Sequence, residues 1–86
     1  MNCVDDVPVI FRYKGFRFFF YSNEGNPLEP VHVHVRLGNA MAKFWLHPSV
    51  SMADSHGFDP PTLNELARVI EQNRDVVERS WHEYFG

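Results

Sequence analysis

The stretch Glu29-Pro30-Val31-His32-Val33-His34-Val35-Arg36-Leu37 alternates strictly. Successive side chains of an extended chain point to opposite faces. Val31, Val33, Val35 and Leu37 therefore share one face; His32, His34 and Arg36 share the other. The valine face belongs against a core. The opposite face carries two imidazoles and a guanidinium in a row.

Gly38-Asn39 follows at once and is a strong two-residue hairpin signal. With that turn, the next strand runs over Ala40–Pro48. Leu37 faces Ala40, Val35 faces Ala42, Val33 faces Phe44 and Val31 faces Leu46, a wholly apolar surface. On the other surface Arg36 meets Met41, His34 meets Lys43 and His32 meets Trp45, with His47 one diagonal step away. A slip of one residue would mix the two faces, so the pattern itself supports this register.

Upstream, Val9–Tyr13 and Phe16–Tyr21 flank Lys14-Gly15 and read as a second hairpin, although lysine is not the best first turn residue. Its register pairs Tyr13 with Phe16, Phe11 with Phe18 and Val9 with Phe20. Ile10, Arg12, Arg17, Phe19 and Tyr21 fall on the opposite face. Ser22–Pro30, with Asn, Gly and two prolines, is a loop. Downstream, Ser49–Ala53 reads as a short fifth strand and Asp54–Phe58 as a turn. Asp59 before Pro60-Pro61 opens a helix, since proline is tolerated where the first-turn N–H groups lack partners anyway. Thr62 with Glu65 is an alternative capping box.

Leu63, Leu66, Ala67, Ile70, Val77, Trp81 and Tyr84 recur at helical spacing. One helix over 61–85 would be about 36 Å long, too long for the edge of so small a domain. The apolar stripe skips at Asn73, so two helices broken there are expected. Trp81, Tyr84 and Phe85 read as core, and Glu65, Glu71, Asp75, Glu78 and Glu83 as a solvated helix face.

Eighty-six residues make one domain, 1–86, with a thin stability margin. The single cysteine, Cys3, excludes an internal disulfide framework. No stretch is apolar enough to span a membrane, so no membrane role and a cytoplasmic location are expected. The net charge of −3 is unevenly spread. Residues 1–50 hold five basic and four acidic groups; residues 51–86 hold three and seven. The acidic half argues against nucleic acid wrapping the whole surface and leaves room for one basic face on the N-terminal half.

Several segments together carry a resemblance: Arg17–Glu24, Pro30-x-His32-Val33-His34-Val35, Ala42–Leu46, Gly57-Phe58 and Trp81–Gly86. The chain resembles the domain-of-unknown-function family 4160, small bacterial proteins with a Pro-His-x-His hallmark, over nearly its whole length. The resemblance implies a compact α+β domain. It also implies an association, since members are often suspected of working with a second small protein in arrangements like toxin–antitoxin pairs. The hallmark carries over as Pro30, His32 and His34. Val31 departs from the second proline of the pattern.

Three chemistries suit the histidine face. His32 and His34, at i and i+2 on a strand, have metal-ligand spacing, and His47 would be a third ligand. Against this, Arg36 and Lys43 lie beside the site, and no carboxylate on that face offsets them. The same two histidines suit general acid–base cleavage of RNA, with Arg36 and Lys43 holding the phosphate and Trp45 stacking a base. Recognition without chemistry needs the fewest assumptions: His32, His34, Arg36, Lys43 and Trp45 form a surface for an acidic partner or a single strand. The bland alternative is that the histidines are satisfied core groups. Asp54-Ser55-His56 looks triad-like only in sequence, since triads are assembled from separate elements. Glu24 and Glu29 either orient the imidazoles or solvate the loop.

The expected fold is α+β: an antiparallel sheet of four to five strands built from two hairpins, then two C-terminal helices packed on its valine face. The expected function is an interaction module in a two-component, toxin–antitoxin-like pair, using an exposed histidine face. Its partner would be a small protein. The alternative is a small RNA-cleaving enzyme with His32 and His34 as general acid and base. No cofactor is expected.

Overall fold

The computed structural model describes residues 9–21 and 29–85. Strands β1 (Val9–Tyr13), β2 (Phe16–Phe19), β3 (His32–Leu37), β4 (Ala40–Trp45) and β5 (Ser51–His56) precede helices α1 (Pro60–Gln72) and α2 (Arg74–Phe85). The strands form one antiparallel sheet in sequence order, so β3 is central. The expected α+β fold, with five strands and two terminal helices, is the fold observed. The lead-in at 1–7 with Cys3, Glu24 and most of the 22–30 loop lie outside the described residues.

The β3–β4 register is the one the alternation predicts, from His32 opposite Trp45 to Leu37 opposite Ala40. The β1–β2 register agrees at Tyr13–Phe16 and Phe11–Phe18, then shifts. Val9 pairs with Phe19 instead of Phe20, because Ile10 is an extra residue on β1, a bulge. In the Lys14-Gly15 turn both residues have positive φ, 51° and 84°. That is the type I′ geometry whose twist matches the flanking strands. Lysine is costly there, and Lys14 has compensation: its Nζ lies 3.2 Å from Glu65 Oε2 on α1.

β5 is longer than the sequence reading, reaching His56, with a register shift beside Lys43 and Phe44. Asp54–His56 therefore belong to a strand, not a turn. The reversal falls at Gly57, with φ 91°, where an added Cβ would sit 3.0 Å from the Ala40 Cβ. Glycine alone fits both constraints. Phe58 then packs on Phe16, ring centroids 5.7 Å apart.

Asp59 caps α1: its Oδ1 accepts the Thr62 N–H at 3.0 Å, and Pro60 and Pro61 fill the first turn. The Thr62–Glu65 box is not used. Glu65 instead accepts from the Tyr13 hydroxyl at 2.7 Å, tying α1 to the first hairpin. The break falls at Asn73, as expected. Its side-chain Nδ2 donates to the Val69 carbonyl at 2.8 Å, and its backbone N–H bonds the Val69 and Ile70 carbonyls. Just past the break, the Arg74 guanidinium donates to the Leu46 carbonyl and pairs with Glu78 at 3.3 Å. The start of α2 is thereby fixed to the end of β4.

Both helices lie on the valine face. Leu66, Val69, Ile70, Val77 and Trp81 join Phe16, Phe18, Phe20, Val33, Val35, Ala42, Phe44 and Leu46 in one buried cluster. Trp81 is core as expected and Phe85 packs against the cluster, but Tyr84 is 46% exposed. It follows Glu83 onto the outer side of the last turn. Glu65 and Glu78 are also corrected, from solvated residues to partners of Tyr13 and Arg74.

Two outcomes follow from this packing. Gly57→Ala should destabilise the fold by about 1–3 kcal/mol, from left-handed strain plus the Ala40 clash. Chemical denaturation checks it; an unchanged midpoint would contradict the close approach. The second concerns pH. The Tyr13 hydroxyl, and then the Lys14 ammonium, hold the Glu65 carboxyl below its usual range. A lowered folded-state value stabilises at neutral pH, and that gain is lost as pH falls through the folded value. The partner shift agrees in sign: the Glu65 hydrogen bond raises Lys14, whose contribution lasts until pH exceeds the usual lysine range. Glu65→Gln should thus lower the melting temperature at pH 7, with the difference shrinking as pH passes below 4.5. A constant difference across that range would contradict the pairing.

Candidate functional site

β3 positions His32 and His34 on the face opposite the valines, but neither is exposed as expected. His32 is 0% and His34 8% accessible. The reason is the aromatic side chains packed around them, Trp45 and Trp81 at His32 and Phe19 and Tyr21 at His34. His32 Nδ1 lies 2.9 Å from the Pro30 carbonyl oxygen. A carbonyl only accepts, so this nitrogen carries a hydrogen and donates. The His32 ring meets Trp45 at 5.3 Å, Trp81 of α2 at 5.0 Å and His34 at 5.1 Å, all edge-on. His34 stacks on Phe19 at 5.6 Å, and Tyr21 approaches edge-on at 4.6 Å. The imidazoles are members of an aromatic cluster.

Arg36, Lys43 and Trp45 remain partly exposed on the same face. Lys43 Nζ sits 4.3 Å from the Trp45 ring centroid and 3.5 Å from Glu29 Oε1. Glu29 also comes within 3.7 Å of His32 Nδ1. The carboxylate missing from the sequence reading of this face is therefore supplied from the residue before Pro30. Arg36 Nε donates to the Gly38 carbonyl at 3.2 Å.

His47 does not join the other two histidines. Its Nε2 lies 3.1 Å from Glu78 Oε2 on α2, beside Arg74. Among the described residues no group of three or more His, Cys, Asp or Glu side chains could hold a metal ion. The three-histidine set is not assembled.

The extended β5 adds two residues that sequence reading left in a turn. Asp54 pairs in register with Lys43 and His56 with Met41. Together with Tyr21, His34, Met41 and Lys43 they line a shallow cleft of about 160 Å³. No triad forms along Asp54-Ser55-His56: the Asp54 carboxylate accepts the Ser55 backbone N–H at 2.9 Å.

The β2–β3 pairing brings in two more residues. Arg12 lies opposite Arg17, and Arg17 opposite Arg36. Three guanidiniums thus stand in one row across three adjacent strands, on the face of His34 and Lys43. Neighbouring strands are about 4.8 Å apart. Among the described residues no carboxylate pairs with Arg12, Arg17 or Arg36. The alternation of each hairpin assigns its arginines to a face. Joining the two hairpins needs the β2–β3 register, which a long loop leaves open.

Like charges directly opposite one another destabilise a sheet. Arg17→Thr, which keeps a strand-favouring residue between Arg12 and Arg36, should raise stability by about 0.2–1 kcal/mol. Urea denaturation at low salt checks this; a loss of stability would show that the arginines support the fold.

No curated protein and no solved structure matches the chain. The family model described as Domain of unknown function (DUF4160) matches residues 15–82, from the first hairpin turn to the last turn of α2. That span takes in the buried histidines, Arg17, Arg36, Lys43 and Trp45, so the chain belongs to the DUF4160 family.

Proposed function

We propose that this protein is a cytoplasmic interaction module, one half of a two-component pair of the toxin–antitoxin type, which binds a small protein through Arg36, Lys43 and Trp45. The observation that carries this reading is the complete burial of His32. Acid–base cleavage of RNA asks two imidazoles to reach a 2′-hydroxyl and a leaving oxygen. A ring with no accessible surface, donating to a backbone carbonyl and edged by two tryptophans, serves the fold. His34 has little more access. The burial therefore supports recognition over catalysis.

On this reading the histidines are the platform and the cations are the contact. Lys43 is held over Trp45 and near Glu29, so its ammonium has lost part of its freedom before a partner arrives. Preorganisation of that kind lowers the entropy lost on binding. Partly exposed tryptophan and arginine are also the side chains that most often dominate interfaces.

The test is affinity purification from the source cells with a histidine-free tag and nuclease treatment. One small protein at near-equal amount is expected, and Arg36→Ala or Trp45→Ala should weaken its retention about tenfold or more. Recovery of RNA that disappears with nuclease, and of no protein, would contradict the proposal. A companion variant separates the alternative. His32→Ala should cost about 2–5 kcal/mol of stability as a buried large-to-small change. A variant of unchanged stability that loses an RNA-cleaving activity would favour the enzyme.

A further inference from the structure

The row Arg12–Arg17–Arg36 is a charge arrangement whose only described side-chain hydrogen bond within the fold is that of Arg36 Nε to the Gly38 carbonyl. Arg12 and Arg17 are exposed and Arg36 is half-buried. They occupy one register across β1, β2 and β3, with no carboxylate partner among the described residues. The remaining described cations on this face differ: Lys43 has Glu29 and the Trp45 ring. Three arginines lined up with no counter-charge among the described residues make a site for an extended array of anions.

Two polyanions fit the charge: a nucleic-acid backbone and an acidic protein segment. The aromatic residues decide between them. Single-strand binding relies on ring faces free to stack bases. On this sheet face the Trp45 ring has Lys43 over it and the His32 edge against it. Phe19 stacks on His34, and the Tyr21 ring contacts both. Trp45 and Tyr21 keep partial exposure, but each already has a neighbour against its ring, Lys43 and His34 respectively. Carboxylates need only the guanidinium forks, which they meet in two parallel hydrogen bonds. Spacing agrees as well. Strands about 4.8 Å apart set the arginines close to the roughly 5–6 Å between side chains at i and i+4 of a helix.

We propose that the Arg12–Arg17–Arg36 row is the docking site for an acidic helical segment of the protein partner, whose carboxylates at i and i+4 lie across β1–β3. This rests on the interaction-module reading and names the partner's chemistry. The protein's own acidic residues, concentrated after residue 50, repel such a segment elsewhere and orient its approach to the sheet.

The experiment titrates the full chain with three fluorescent probes. They are a helical peptide bearing glutamates at i and i+4, its glutamine counterpart, and a single-stranded RNA of matched charge. The glutamate peptide should bind best, and added salt should weaken it. Arg17→Glu sits between Arg12 and Arg36, where its charge favours the fold, and should weaken the peptide about tenfold or more. The charge-matched control Arg68→Glu, on the exposed side of α1, should leave it within about twofold. Equal losses in both variants would overturn the site, because net charge alone would explain the binding. Tighter binding of the RNA would overturn the choice of partner class. Purification from cells separates the two levels. A stoichiometric protein still retained in full by the double variant R12E/R17E, which leaves Arg36, Lys43 and Trp45 in place, would overturn the arginine row and leave the module reading standing. No protein retained by the native chain would overturn both.

Discussion

A central strand that alternates valine with histidine must bury both kinds of side chain once both of its faces are covered. β3 is that strand, and this constraint organises the rest. On one face Val33 and Val35 meet Phe18, Phe44 and the helices. On the other, the imidazoles need polar partners inside an aromatic cluster, because a buried polar group without one is costly. The chain supplies a partner locally: the Pro30 carbonyl, two residues before His32, takes its Nδ1–H. Pro30 and His32 thus act as one device that starts the strand and fixes the ring. Trp45 from β4 and Trp81 from α2 close around it, so the sheet and the last helix share a single buried imidazole.

The cations are sorted by the same geometry. Lys43 is drawn inward, over Trp45 and towards Glu29. Arg74 is taken up by the end of β4 and by acidic neighbours on the helices. Arg12, Arg17 and Arg36 are left in a line on the open part of the sheet, at a cost in cross-strand repulsion. A small domain has little stability to spare, and this repulsion draws on it. In the proposed reading the buried histidines are the scaffold and the arginine row the contact, on one face.

Strict alternation made β3 and β4 legible down to individual pairs, because an error of one residue would have exchanged a valine face for a charged one. The helix cap at Asp59 and the break at Asn73 were legible for a similar reason: each residue solves a local backbone problem. Four features were not, or not in full. The bulge at Ile10 depends on how the sheet twists, and the fifth strand was legible over Ser49–Ala53 but not in its extent to His56, because Asp54-Ser55-His56 carries no apolar residue to mark a strand face. Exposure of His32 was misjudged because alternation says which face a ring joins but not whether that face is covered. The arginine row needed the β2–β3 register, where sequence proximity gives no guide.

The most direct test of a scaffolding His32 is its ring proton, seen in long-range proton–nitrogen NMR spectra of the labelled protein. The structure predicts a hydrogen on Nδ1, coupled across its hydrogen bond to the Pro30 carbonyl and slow to exchange with water. A hydrogen that exchanges freely, or sits only on Nε2, would return His32 to the surface and reopen a catalytic role.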